Sequence, residues 1–400
     1  MGEPVRVDLG DGLGAIEGSA RPGFEGVVEA FAENFRRRGE AGAAFAVSRD
    51  GETLVDLWGG WADREARRPW ERNTMQMIFS GTKGICAICV AALVGRGQLS
   101  LDDPVASHWP EFAAAGKEEV TVGELMSHRA RLPVIRSAAP LPPEALLDPV
   151  DLASRLALQA QESDPRARLT YHALTYGWLC GELVRRVDGR SIGRFWREEI
   201  ADPLGLDVWI GCPPQVRRRV GALHHGDEFG RTYFLRPPLR PDPLLDWRRN
   251  PEAIGSSRLI WNETPFLTAE VPGVNAVATA RGMAAAYAEL LRPAPRVPGL
   301  DADAIGTCVA ELARGWDELN DESLRFGSGF ALQTDEKELG PPADAFGHAG
   351  AGGSVHAAWP SCGAGVSYVM TEMRDPPEPD SRPEALLEAA YTALKAGTAA

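Results

Sequence analysis

Between residues 24 and 38, Phe24, Val27, Phe31 and Phe35 recur at helical spacing among charged residues, which predicts an amphipathic helix. Two apolar runs follow, 43–48 and 53–58, around Arg49-Asp50-Gly51, the signature of a β-hairpin. A short apolar stretch, Met77-Ile78-Phe79, leads into a helical pattern over 85–94. Residues 181–187 read as helix, with Gly189 as its stop and Ser191 as the cap of a further helix over 195–200. Near the end of the chain, 351–359 and 365–371 form a second hairpin pattern around 360–363, and 383–395 a closing helix. Pro237, Pro238, Pro241 and Pro243 mark a rigid connection bordering a cleft, and no internal repeat is present.

Composition sets outer limits. The chain has 400 residues, 44% of them hydrophobic, enough to bury a large core and to divide into two lobes. A net charge of −14 disfavours nucleic acid or an anionic membrane surface as partner. The first ten residues lack the apolar core of a signal peptide, and no run nears ~18 apolar residues. With six scattered cysteines, this predicts reduced thiols in a cytoplasmic protein.

The chemistry concentrates at Ser80-Gly81-Thr82-Lys83, where the helical pattern begins. Three-residue spacing puts Ser80 and Lys83 on one helix face, close enough for the amine to reach the hydroxyl. A serine hydroxyl is a poor nucleophile until a neighbour takes its proton, and a lysine with suppressed charge can do so. A helix-capping serine followed by a solvated lysine would show the same letters, so the motif needs support elsewhere.

Two segments supply it. Thr170-Tyr171-His172-Ala173 runs into a helical pattern, and Gly347-His348-Ala349-Gly350-Ala351 precedes strand-like 355–359. With Ser80 and Lys83, these resemble the three motifs of the serine β-lactamase and penicillin-binding-protein superfamily: SxxK, a tyrosine motif, and a strand bearing Lys/His/Trp-x-Gly. Supporting stretches at 98–105, 125–133, 203–207 and 278–282 make the chain most similar to the class C branch and its family VIII carboxylesterases. The resemblance implies an α+β fold, an antiparallel sheet flanked by helices. Its first part would be residues 1–79, an inserted mainly helical lobe 80–265, and the C-terminal part of the sheet lobe 266–400.

It also implies roles. Ser80 would attack an acyl carbonyl, and Lys83 would either take its proton or favour the Tyr171 phenolate as base. The N–H groups of Ser80 and Ala351 would form an oxyanion hole. His348, Gly350, Arg131 and His172 would meet substrate. No cofactor or metal is implied, and the partner would be a small ester or acyl compound.

Three departures steer the substrate. Ala173 stands where lactamases carry the asparagine that grips an acylamino side chain, and His348 where they carry a permanent cation. Both favour an ester over a β-lactam. Arg131 occupies a position usually held by glycine, so it either remodels its loop or joins a specialised pocket. Gly81 leaves room beside Ser80. Gly189-Arg190-Ser191-Ile192-Gly193 matches GxSxG but lacks the required strand before the serine, so Ser191 reads as a decoy. Cys86-Ala87-Ile88-Cys89 reads as buried thiols, and His224-His225-Gly226-Asp227 as a polar loop. An ester hydrolase is thus expected. The alternatives are an acyltransferase of secondary metabolism on the same machinery, a β-lactamase or D-aminopeptidase-like amidase, and a silent acyl-binding protein.

Overall fold

The computed structural model describes residues 2–10, 12, 14–225, 244, 259–374 and 380–397, so the 237–243 prolines, Gly226 and Asp227 fall outside it. The chain opens with a hairpin, β1 (Glu3–Asp8) and β2 (Ala15–Ala20), paired from Glu3 opposite Ala20 to Asp8 opposite Ala15. The predicted amphipathic helix follows as α1 (Glu25–Arg37), with Val27, Phe31 and Phe35 buried. Next comes the predicted hairpin, longer than the apolar runs, as β3 (Gly42–Arg49) and β4 (Glu52–Asp63). Asp50 and Gly51 take φ of 53° and 80°, the left-handed backbone that matches a two-residue turn to strand twist.

Helix α2 (Gly81–Gly95) is buried on every side from Gly81 to Leu93, as a helix apolar all round must be. Helix α3 (Thr175–Asp188) ends on Gly189, as predicted. The segment after Ser191 begins as Ile192–Phe195 and continues as a π-turn over Trp196–Ala201. Helix α4 (Ala280–Glu289) precedes the second half of the sheet: β5 (Ala313–Asp317), β6 (Glu322–Phe326), β7 (Ala331–Leu332), β8 (Phe346–Gly350), β9 (Ser354–Trp359) and β10 (Ala364–Met370). The closing helix is α5 (Ser381–Gly397). Residues 351–353, expected as strand, form the turn between β8 and β9.

The sheet runs β1-β2-β4-β3-β10-β9-β8-β7-β6-β5 from edge to edge, with antiparallel pairing throughout. The seam lies between β3 and β10, where Val47 faces Val366 and Phe45 faces Tyr368. Strands from both ends of the chain therefore share one sheet, as the resemblance implied. Helices α1 and α5 pack on each other, α4 lies across β3 and β10, and α2 lies against β8. A small second sheet joins Gln76–Met77 and Val208–Trp209 to Val277–Ala278 and steadies the strand entering the Ser80 turn. Among the described residues no helix is long and apolar enough to cross a membrane.

Candidate active site at the start of helix α2

Phe79 adopts φ 44°, uncommon for an aromatic residue, and this left-handed step brings Ser80 to the head of α2. Ser80 occupies the cap position, yet its side chain caps nothing. The turn is held by backbone instead: Gly81 N donates to Ile78 O at 2.9 Å, Thr82 N to Phe79 O at 2.8 Å and Lys83 N to Ser80 O at 2.9 Å. The hydroxyl is left for chemistry.

Lys83 is fully buried, which removes the reading of a solvated lysine. Its Nζ lies 3.1 Å from Ser80 Oγ, 2.8 Å from Ala173 O and 2.9 Å from Gly273 O. Burial pushes its pKa down to about 7. The two carbonyls accept both N–H groups of a neutral amine, so the remaining lone pair faces the Ser80 hydroxyl. That geometry suits direct proton transfer from Oγ to Nζ. The Lys83 amine also sits 4.9 Å from the centre of the Tyr171 ring.

Tyr171 is placed by a hub that its local sequence does not reveal. Asp317, buried at the end of β5, accepts from Tyr171 N at 2.7 Å, Thr170 Oγ1 at 2.8 Å and Leu319 N at 3.0 Å. The buried ring of His128 packs 4.8 Å from Tyr171 and 4.5 Å, edge-on, from Phe326. His128 Nδ1 accepts from His172 N, so its proton sits on Nε2, and burial holds it neutral.

The strand side of the site is β8. His348 Nδ1 donates to its neighbour's carbonyl, Ala349 O, at 2.7 Å, which turns Nε2 toward the Tyr171 hydroxyl 3.4 Å away. Burial first, and the Lys83 charge second, push its pKa down to about 3, so His348 is neutral well below physiological pH. Gly350 passes too close to the Ile78 carbonyl and Ser354 Oγ to carry a Cβ, and the following Ala351 lines the same cavity as Ser80. Gly81 is not spare room: a Cβ there would lie 2.5 Å from Cδ2 of the buried His356.

These groups line a cavity of about 540 Å³, which takes in Ser80, Tyr171, Ala173, His348, Gly350 and Ala351. Two expected contacts are not part of it. Arg131 has the left-handed φ of 56° that glycine would supply, and its guanidinium reaches Glu162 O, tying down its own loop. His172 is buried, accepts from Leu132 N at 3.1 Å through Nε2, and bonds Thr170 O through Nδ1. His172 supports the segment carrying Tyr171 and Arg131 its own loop, and neither lines the cavity. Ser191 donates to Glu270 Oε1 at 2.7 Å and caps Arg194 N at 3.3 Å, far from any strand-to-helix elbow. All six cysteines are buried and unbridged. His224 and His225, read from the sequence as a polar loop, instead form a short strand paired in parallel with Glu372–Met373, because their backbone groups find partners there, and the ring Nε2 of His224 lies 3.4 Å from Arg64 N.

Comparison with known proteins bears on the family and the fold. The β-lactamase family model matches residues 27–391. The chain is 35% identical to the esterase/β-lactamase LipL of Mycobacterium tuberculosis over 368 residues, 90% of this chain and 83% of that protein. The crystal structure of a family VIII carboxylesterase superposes with a TM-score of 0.85 at 34% identity, covering 94% of this chain and 99% of the other. A penicillin-binding-protein homologue from Caulobacter crescentus gives 0.82 at 35% identity over 94% and 99%. The chain belongs to the β-lactamase family of serine hydrolases.

Proposed function

We propose that the protein cleaves a carboxylic ester through an acyl-enzyme on Ser80. The observation that carries this reading is the buried Lys83, held by two backbone carbonyls with its remaining valence directed at Ser80 Oγ 3.1 Å away. Ser80 Oγ adds to the ester carbonyl carbon as its proton passes to Lys83 Nζ. Negative charge collects on the carbonyl oxygen, which the N–H groups of Ser80 and Ala351 receive. The tetrahedral centre then expels the alcohol, whose oxygen takes a proton from the lysine ammonium, with the Tyr171 hydroxyl as relay. Water, deprotonated by the same amine, adds to the acyl carbonyl, and the collapsing tetrahedral centre releases the acid as the ammonium returns its proton to Ser80 Oγ.

The ester preference rests on what the cavity presents. Ala173 offers no side-chain amide, and His348 offers no positive charge. Farther out, the carboxylates Glu322, Glu336, Glu338, Asp380, Glu384 and Glu388 outnumber the cations Arg325, Lys337 and Arg374, a poor lining for a substrate carboxylate. The family VIII carboxylesterase relative supports the same reading by its name, while LipL's name, esterase/β-lactamase, covers both substrates. The test is the ratio of kcat/KM for a short-chain nitrophenyl ester to that for a chromogenic cephalosporin. We expect the ester to be favoured by at least about 100-fold. Comparable values for the two would return the β-lactam reading to first place.

A further inference from the structure

The turn Ala351-Gly352-Gly353 carries the second proposed oxyanion donor, and its backbone is unusual: Gly352 and Gly353 take φ of 89° and 115°. Such a turn needs outside support to hold one N–H in place. The support comes from the far end of the chain. Arg382, in the first turn of α5, is completely buried, and each of its five N–H groups has an acceptor. Nε and Nη2 grip the Asp380 carboxylate at 3.1 and 2.6 Å; Nη1 donates to Glu372 O at 3.0 Å and reaches Glu40 Oε1 at 3.5 Å. The remaining donor, on Nη2, goes to the carbonyl of Gly352 at 3.3 Å, which also accepts Arg374 N at 3.1 Å. Gly353 lies against the same cluster, where a Cβ would be 2.6 Å from Asp380 Oδ2.

A buried guanidinium with two carboxylates is a costly way to anchor a helix, and hydrophobic packing would do as well. The guanidinium fork adds a second donor to the Arg374 N–H on the Gly352 carbonyl while gripping Asp380 with the same plane, which links turn and helix directly. We propose that Arg382 is a positioning residue that locks the 351–353 turn so that the Ala351 N–H points at the developing oxyanion, coupling the C-terminal helix to the rate of acylation. This rests on the reading of Ala351 as an oxyanion donor.

The experiment compares wild type with Arg382→Lys, Gly353→Ala and, as a stability control, Tyr368→Phe. Tyr368 donates to Glu40 at the opposite end of the cluster from the Gly352 carbonyl. For each variant, active sites are counted by final fluorophosphonate labelling of Ser80. Then kcat and KM for a nitrophenyl ester and the affinity for an arylboronic acid, which mimics the tetrahedral adduct, are measured. Arg382→Lys and Gly353→Ala should each lower kcat per labelled site by about 10- to 100-fold, leave KM within about threefold, and weaken the boronate in proportion to kcat. Tyr368→Phe should lower thermal stability with kcat unchanged. Unchanged kcat and boronate affinity in both turn variants would overturn the clamp and leave the hydrolase reading standing. So would a Tyr368→Phe loss as large as that of Arg382→Lys. A wild-type protein that hydrolyses ester with no label on Ser80 would overturn both.

Discussion

Lys83 is the residue on which the chemistry turns. Its folded pKa of about 7, pulled down by burial, means that the neutral fraction falls tenfold for each pH unit below about 7 and is nearly complete above 8. If neutral Lys83 is the base, kcat/KM for an uncharged ester should rise about tenfold per pH unit up to about 7 and then level off. His348 and His172, pushed to about 3 and about 4, stay neutral across that range and add no inflection. Lys83→Arg, permanently charged, should be inactive by orders of magnitude at every pH. A single inflection near pH 4 in the wild-type profile would contradict Lys83 as the base. The proximity of Ser80 and Lys83 follows from spacing, because one helical turn decides it, while its catalytic reading needed the other two motifs. Its two carbonyl partners, Ala173 and Gly273, lie 90 and 190 residues away and carry no side-chain signal. The choice for Arg131 between a remodelled loop and a pocket residue was open for a related reason: letters reveal a missing glycine, but not that the arginine accepts the glycine's φ and turns its head to Glu162.

At the scale of elements, the hairpin β5–β6 holds Tyr171 in place through Asp317. The carboxylate accepts from the backbone of Tyr171 and from Thr170, 146 and 147 residues earlier in the chain. Asp317→Asn keeps the size but removes the charge and one acceptor. Each hydrogen bond to a buried charge contributes ~1.5–3 kcal/mol, so a loss of stability of about 2 kcal/mol is expected in denaturant titration. Activity should fall about tenfold, chiefly in kcat, as Tyr171 loosens; unchanged kcat would show that Tyr171 does not depend on this anchor. Neither β5–β6 nor β1–β2 was read from the sequence. Exposed positions interrupt their apolar alternation, Trp316 is itself 57% exposed, and their stability comes from pairing with the sheet rather than from their own pattern. Hairpin β3–β4 was readable because Asp50-Gly51 specifies its turn.

For the whole molecule, the sheet explains how motifs 91 and 268 residues beyond Ser80, at Tyr171 and His348, meet it. The seam of β3 with β10 joins the two ends of the chain, β8 brings His348 to Ala351, and α2 enters beside it. We retain the division at 79/80 and 265/266 as a proposal; the small sheet that pairs Gln76–Met77 and Val208–Trp209 with Val277–Ala278 spans all three parts. Fold and nucleophile were legible because three spaced motifs constrain one another. The buried Glu40–Arg382–Asp380 cluster was not, since it joins residues 342 apart that look like ordinary surface charges. The account stands on Ser80 as the acylated residue, and the most direct measurement is peptide mass mapping after rapid mixing with a nitrophenyl ester and acid quench. The acyl mass is predicted on the peptide containing Ser80 in wild type and in Ser191→Ala, decaying in water, and absent from Ser80→Ala. Ester turnover with the acyl group on Ser191, or with Ser80→Ala fully active, would contradict it.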